Sequence, residues 1–261
     1  MELLEALRLQ WEWGADEALL DAPQDRRNQA PPPEVAQFAS PPPAPKRQAT
    51  KPAGLPAAPA DARKAAEACA TLEELEAALK SFTGCPLRDT ATQLVFADGA
   101  ADARLIIVGE APGAEEDREG RPFIGPAGQL LDRMLGSIGL DRTQVRIINT
   151  VPWRPPGNRT PTEGEVAMCL PFLHRQIALI RPRGLLLLGA VAAKAVLPPE
   201  AGQQGIRRLR GTWREVEIPG LDAPLPCLPS YHPAYLLRMP TAKAEAWRDM
   251  LTLKEWLTGS G

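Results

Sequence analysis

The sequence predicts an α/β fold built on a mostly parallel sheet flanked by helices, and three observations carry that prediction. Four short apolar runs, Arg104 to Gly109, Val145 to Thr150, Gly184 to Gly189 and Leu225 to Ser230, read as buried strands. They alternate with helical stretches at Ala127 to Ile138, Glu163 to Ile180 and Ala190 to Leu197, the rhythm of parallel strands joined by crossover helices. Glu110, Asn149 and His232 stand at or just past the ends of three of these runs, where sheets of this kind bind their ligands.

The elements before the sheet follow from composition and capping. Leu3 to Leu20 carries apolar residues at helical spacing, among them Leu3, Leu7 and Trp11, and reads as a short amphipathic helix at residues 1–20. Residues 21–60 hold many of the 29 prolines and few large apolar groups, so burial cannot offset their ordering entropy and a disordered linker is expected. From Ala62 to Ser81 the chain is rich in Ala, Leu and Glu, and Thr71 precedes Glu74 by three residues, the spacing of a capping box. The folded domain is therefore placed at 61–261.

Bulk properties bound the function. With 261 residues and 44% hydrophobic content the chain can bury one substantial core. A formal net charge of -2 gives no global argument for nucleic acid, so any such binding must rest on local clusters: Arg207, Arg208 and Arg210, with Arg154, Arg159 and Arg238 near the strand ends. No apolar run reaches the ~18 residues needed to span a bilayer, and the N-terminus lacks a basic start with an apolar stretch and cleavage site. Cys69, Cys85, Cys169 and Cys227 lie far apart, as free thiols do in a reducing compartment. A cytoplasmic protein is expected, without a membrane partner and monomeric.

The segment Gly109 to Asp132, GEAPGAEEDREGRPFIGPAGQLLD, passes from a strand through a Gly/Pro-rich acidic loop into a helix, and SYHPAYLLR, Ser230 to Arg238, follows the last strand. Together with Asn149 and the RPPGNR segment between them, these motifs resemble the uracil-DNA glycosylases, closest to family 4, over roughly Cys85 to Trp256. The resemblance implies a three-layer α/β/α sandwich with a central, mostly parallel four-stranded sheet. It implies a monofunctional enzyme of base excision repair, which releases uracil from single- or double-stranded DNA and leaves an abasic site.

Breaking the N-glycosidic bond of deoxyuridine builds positive charge on the sugar and negative charge on the departing base, and sugar-bond hydrolysis in general passes through such an oxocarbenium-like state. Glu110 suits the first charge, orienting water and favouring the cationic sugar. His232 suits the second as a donor to uracil O2, and a neutral imidazole still has one N–H to give. The resemblance assigns the base edge to Asn149, whose amide accepts from uracil N3–H and donates to O4; cytosine reverses that pattern. It assigns stacking on the extruded base to Phe123, places Ala111 at the base, and puts Glu116 near the pocket, where it helps exclude the thymine methyl.

A flipped base leaves a gap for a side chain to fill, and the resemblance puts Leu236 at that wedge position. Leu236 and Leu237 are also able to begin a buried helix. Ser230, Arg238 and Arg210 are the candidate DNA contacts.

The family's relatives hold a four-iron cluster on four cysteines. Cys85 and Cys169 match two of those positions, but Phe82 and Trp153 stand at the other two, and thiolates normally supply all four ligands. No cofactor is expected, with Phe82 and Trp153 packing where the cluster sits elsewhere; Cys69 and Cys227 remain as replacement ligands to be tested by position. The segment QQGIRRLRGTW contains no His, which argues against the covalent sugar link of another branch, and His174 reads as an ordinary packing or surface residue of its helix. Two other readings compete: a noncatalytic reader of uracil-containing or abasic DNA, and a nucleotide phosphate loop on an unrelated protein.

Overall fold

The computed structural model describes residues 59–202 and 204–259. The expected helix at 1–20 and nearly all of the linker at 21–60 lie outside the described residues. The helical stretch at Ala62 to Ser81 is two helices, α1 (Pro59–Glu67) and α2 (Leu72–Ser81). The break has a local cause: the Thr71 side chain accepts the Glu74 N–H at 3.2 Å and Glu74 in turn accepts the Ala70 N–H at 2.6 Å, so a new helix starts at Leu72.

The sheet has six strands in the order β1-β3-β2-β4-β6-β5. These are β1 (Asp98–Gly99), β2 (Leu105–Gly109), β3 (Arg146–Asn149), β4 (Gly184–Leu188), β5 (Arg214–Val216) and β6 (Leu225–Ser230). The four expected strands form the parallel centre, and β1 and β5 add antiparallel edges. The four-stranded expectation is thus extended to six. At two and three residues, β1 and β5 are too short to show an alternation.

Successive side chains of a strand face opposite ways, and the two faces are covered by different helices. Ile106, Val108, Leu185 and Leu187 pack with Leu173 and Ile177 of α5 (Glu163–Ile180) and Ala192, Ala193 and Val196 of α6 (Ala190–Val196). Leu105, Ile107, Leu186 and Leu188 pack with Leu131 and Leu135 of α4 (Pro126–Ser137) and Met250 and Leu253 of α10 (Lys243–Gly259). This is the three-layer sandwich, and because both faces are covered the central strands are apolar throughout. Each buried Val, Leu, Ile or Met side chain among these stabilises the fold by roughly 1.5–3 kcal/mol through burial.

Short helices fill the connections: α3 (Ala114–Glu119), α7 (Pro199–Gly202), α8 (Ile206–Leu209) and α9 (Pro233–Arg238). A third apolar cluster joins α1 and α2 to α5 and to Val151 and Trp153 beyond β3. All four cysteines are buried free thiols. No helix of the described residues is long and apolar enough to cross a membrane.

Candidate active site

The parallel register aligns the carboxyl ends of the central strands: Gly109 of β2 sits beside Asn149 of β3, and Leu188 of β4 beside Ser230 of β6. Residues just past these ends therefore converge, at the edge where open α/β sheets bind ligands. Glu110, Ala111, Glu116, Phe123, Asn149, His232 and Arg238 all line one cavity of about 420 Å³ there.

Gly109 makes the floor possible. A Cβ at this position would lie 2.5 Å from Asn149 Oδ1 and 2.6 Å from the Phe123 ring, so only glycine lets both side chains cross the strand end. Asn149 is 7% exposed, and its Oδ1 is buried with no hydrogen-bond donor reaching it among the described residues. Buried polar atoms are nearly always paired, so an unpaired acceptor on a side chain that lines a cavity points to a ligand donor there.

Phe123 adopts a left-handed backbone, φ 55°. Arg142 secures this turn, donating to the Phe123 and Pro122 carbonyls while pairing with Asp98 at 2.7 Å and Asp132 at 2.7 Å. The Phe123 ring stacks with His232, centroids 5.4 Å apart and planes 29° apart. Gly189 also stands against His232: its φ is +93° and its missing Cβ would press on the His232 Cβ at 3.1 Å.

His232 caps α9, its Nδ1 accepting the Ala234 N–H at 3.1 Å. An accepting Nδ1 places the proton of the neutral ring on Nε2. Burial pushes the ring's pKa down to about 4, the Arg238 charge adds to the effect, and Glu116 opposes it. The ring is therefore a neutral Nε2–H donor at pH 7.

Glu110 is half-buried, and burial pushes its carboxyl up from the usual range, against a hydrogen bond from the Thr160 side chain and the charge of Arg238. Thr160 belongs to a wall the motifs did not assign, with Pro155, Asn158 and Arg159 also facing the cavity. That wall is clamped to α5. Glu165 pairs with Arg159 at 2.6 Å while closing a capping box with Thr162, and the guanidinium holds its carboxyl at about 2. The sequence signal was the RPPGNRT run, whose turn at Gly157 and Asn158, both with positive φ, folds the wall back over Glu110's side of the cavity.

Glu116 lines the cavity, yet its carboxylate is occupied by the backbone: it accepts the N–H of Gly113 at 3.0 Å, of Ile124 at 3.0 Å and of Gly125 at 2.9 Å. It ties the Glu110 loop to the Phe123 loop.

Three expected DNA contacts need correction. Leu236 is 1% exposed and packs with Leu130, Tyr231 and Ala246, because α9 turns that face onto α4; its neighbour Leu237 is 40% exposed. Of the two leucines, only Leu237 therefore offers its side chain to solvent. Ser230 is fully buried and donates to Asp249 Oδ2 at 2.6 Å. Arg210 grips the same carboxylate, its Nε 3.0 Å from Oδ2. A buried carboxylate needs such partners, so both side chains are consumed inside the protein. Arg238 lines the cavity and remains exposed, and Arg207 and Arg208 are exposed on α8.

The iron-sulfur cluster implied by the family resemblance does not fit the residues present. Cys169 donates to Cys85 across 3.9 Å between sulfurs, but Phe82 and Trp153, buried in the same apolar cluster, offer no electron pair. Cys69 binds the Ala65 carbonyl and Cys227 lies on β6; among the described residues no three His, Cys, Asp or Glu side chains converge as a metal site.

Comparison with known proteins agrees with the fold and the motifs. The family model described as "Uracil DNA glycosylase superfamily" matches residues 96–251. The chain is 39% identical over 180 residues to the type-4 uracil-DNA glycosylase of Pyrobaculum aerophilum, covering 69% of this chain and 91% of that protein. It is 41% identical over 167 residues to the type-4 enzyme of Thermotoga maritima, covering 64% and 83%. It is 38% identical over 186 residues to that of Archaeoglobus fulgidus, covering 71% and 92%. The chain belongs to the uracil DNA glycosylase superfamily, on the side of its type-4 members.

Proposed function

We propose that this protein is a monofunctional uracil-DNA glycosylase, which hydrolyses the N-glycosidic bond of deoxyuridine in DNA and leaves an abasic site, the opening step of base excision repair. The observation that carries the proposal is the buried, unpaired Oδ1 of Asn149 in a cavity that also holds Glu110 and His232. Uracil N3–H completes that acceptor, and the amide nitrogen donates to O4. Cytosine sets an acceptor against Oδ1 and a donor against the amide, and a site built around such hydrogen bonds rejects the wrong pattern strongly.

The remaining residues then have defined tasks. The Phe123 ring stacks on the extruded base, beside Ala111. Glu110, as carboxylate, orients water toward C1′ and favours the cationic sugar. Nε2–H of His232 donates to O2 as the bond breaks and the electron pair moves into the base, so the uracil anion leaves stabilised. Water supplies the new C1′–O bond, and its proton passes to Glu110. Among the described residues no lysine lines the cavity, which supports water over an amine nucleophile. Leu237 enters the gap left in a duplex, and Arg238 holds phosphate.

The test is incubation of the full chain with uracil-containing oligonucleotides followed by alkali. Alkali-dependent breaks at uracil, with free uracil released, support the reading. Tight binding to uracil-containing DNA without base release would instead make the protein a noncatalytic reader.

A further inference from the structure

We infer that an aromatic plug built around Trp153 occupies the place of the metal cluster in this chain, and anchors the outer wall of the cavity without metal. The inference rests on the family assignment, since that is what implies a cluster.

The plug joins the segments that four cysteine ligands would otherwise hold together. Phe82 closes α2, Cys85 follows it, Trp153 lies beyond β3, and Cys169 projects from α5. Phe82 and Phe172 meet with ring centroids 5.0 Å apart at 60°, a favourable tilted geometry. Trp153 is 2% exposed in the same cluster, with Leu75, Leu79, Leu87 and Val151. The two remaining thiols lie 3.9 Å apart inside this apolar shell. Two sulfurs and two aromatic rings leave half of a four-thiolate set without donors, while the rings supply close packing between the same segments.

The position of Trp153 gives the plug a consequence for the site. The chain runs directly from it into Pro155, Asn158, Arg159 and Thr160, which face Glu110's cavity. Arg154 Nε donates to Asn158 Oδ1 at 2.8 Å, closing the turn that follows. The base of this wall is thus fixed by dispersion and burial, forces that neither a chelator nor an oxidant removes.

The experiment uses the full chain, produced with abundant iron and sulfide, alongside Trp153→Ala and the double variant Phe82→Cys/Trp153→Cys. Iron and acid-labile sulfide, visible absorbance, and Tm with and without a chelator are read, with uracil release measured in parallel. The expected wild type is colourless, free of stoichiometric iron, and unchanged in Tm by the chelator. Trp153→Ala is expected to lower Tm by about 10 °C, as loss of a fully buried aromatic does in a domain of this size. The double variant is expected to gain iron, sulfide and a visible absorbance band. Stoichiometric iron in the wild type, an unchanged Tm in Trp153→Ala, or a folded double variant that takes up no iron overturns the inference. If the double variant does not fold, the first two measurements decide. Iron in a protein that still releases uracil overturns the plug alone, whereas an iron-free protein that releases none overturns the proposed activity alone.

Discussion

The rings of Phe123 and His232 stack at 5.4 Å between centroids, although one belongs to the loop before α4 and the other caps α9. Under the proposed function this contact ties the surface that stacks on the base to the donor for its O2. The Nδ1 contact with Ala234 leaves the proton of the neutral ring on Nε2, the donor of the proposed reaction. His232→Ala is expected to lower the single-turnover rate by roughly a hundredfold or more while leaving DNA affinity within a few-fold, as loss of one oxyanion donor does. A single-turnover assay with a binding titration checks it, and an unchanged rate removes His232 from the chemistry.

Glu110→Gln is expected to cause a similarly large loss of rate with binding retained. Thr160→Val provides the finer measurement. The Thr160 side chain holds the Glu110 carboxyl down against the upward push of burial, so removing its hydroxyl raises that pKa further. Because the carboxylate is the working form, the acid limb of the pH–rate profile moves to higher pH. A limb that stays in place, or moves down, contradicts this use of Glu110.

Asn149→Ala removes the orphaned acceptor and its amide donor together. We expect uracil release to fall by about two orders of magnitude or more, since hydrogen-bonded recognition of this kind is worth several kcal/mol. Tm should hardly change, because no protein donor loses its partner. Retention of full kcat/KM on uracil would show that the base is read elsewhere.

Leu236 and Leu237 separate packing from DNA entry. Leu236→Ala is expected to cost about 2–5 kcal/mol of stability as a buried leucine truncation, visible in denaturant midpoints. Leu237→Ala should leave stability alone and reduce activity on duplex more than on single-stranded substrate. The reverse assignment would restore Leu236 as the wedge. Likewise Arg238→Ala is expected to lower the salt slope of DNA binding by about one, while Arg210→Ala, which strands the buried Asp249, destabilises the fold instead.

Both described histidines have pKa values depressed by burial to about 4, below the ordinary 6.5. The unfolded chain therefore binds protons first on acidification. Their contribution to stability is fully present above about pH 6.5 and is lost as pH falls toward 4, a window above that of Glu165, whose carboxyl sits near 2. Urea midpoints should decline from pH 7 to pH 4.5, and His174→Gln should flatten the decline. An identical slope in that variant would show that His174 is not one of the groups responsible.

What the sequence alone determined is the local and periodic part of the protein. Central strands buried on both faces are largely apolar, so β2, β3, β4 and β6 were legible, as was α5. That Glu110, Asn149 and His232 share one cavity was legible because parallel strands bring the residues at and just past their ends together. The helix α10 escaped because its inner stripe of Ala246, Asp249, Met250 and Leu253 includes a carboxylate, which hides the helical period. Only the tertiary structure decided which polar side chains stay free. Ser230 and Arg210 look like phosphate ligands in one dimension, yet a carboxylate distant in the chain must be satisfied once buried, and it takes both. It decided equally between Leu236 and Leu237, since the rotation of a six-residue helix against α4 is set by packing and leaves no mark on the composition of either neighbour.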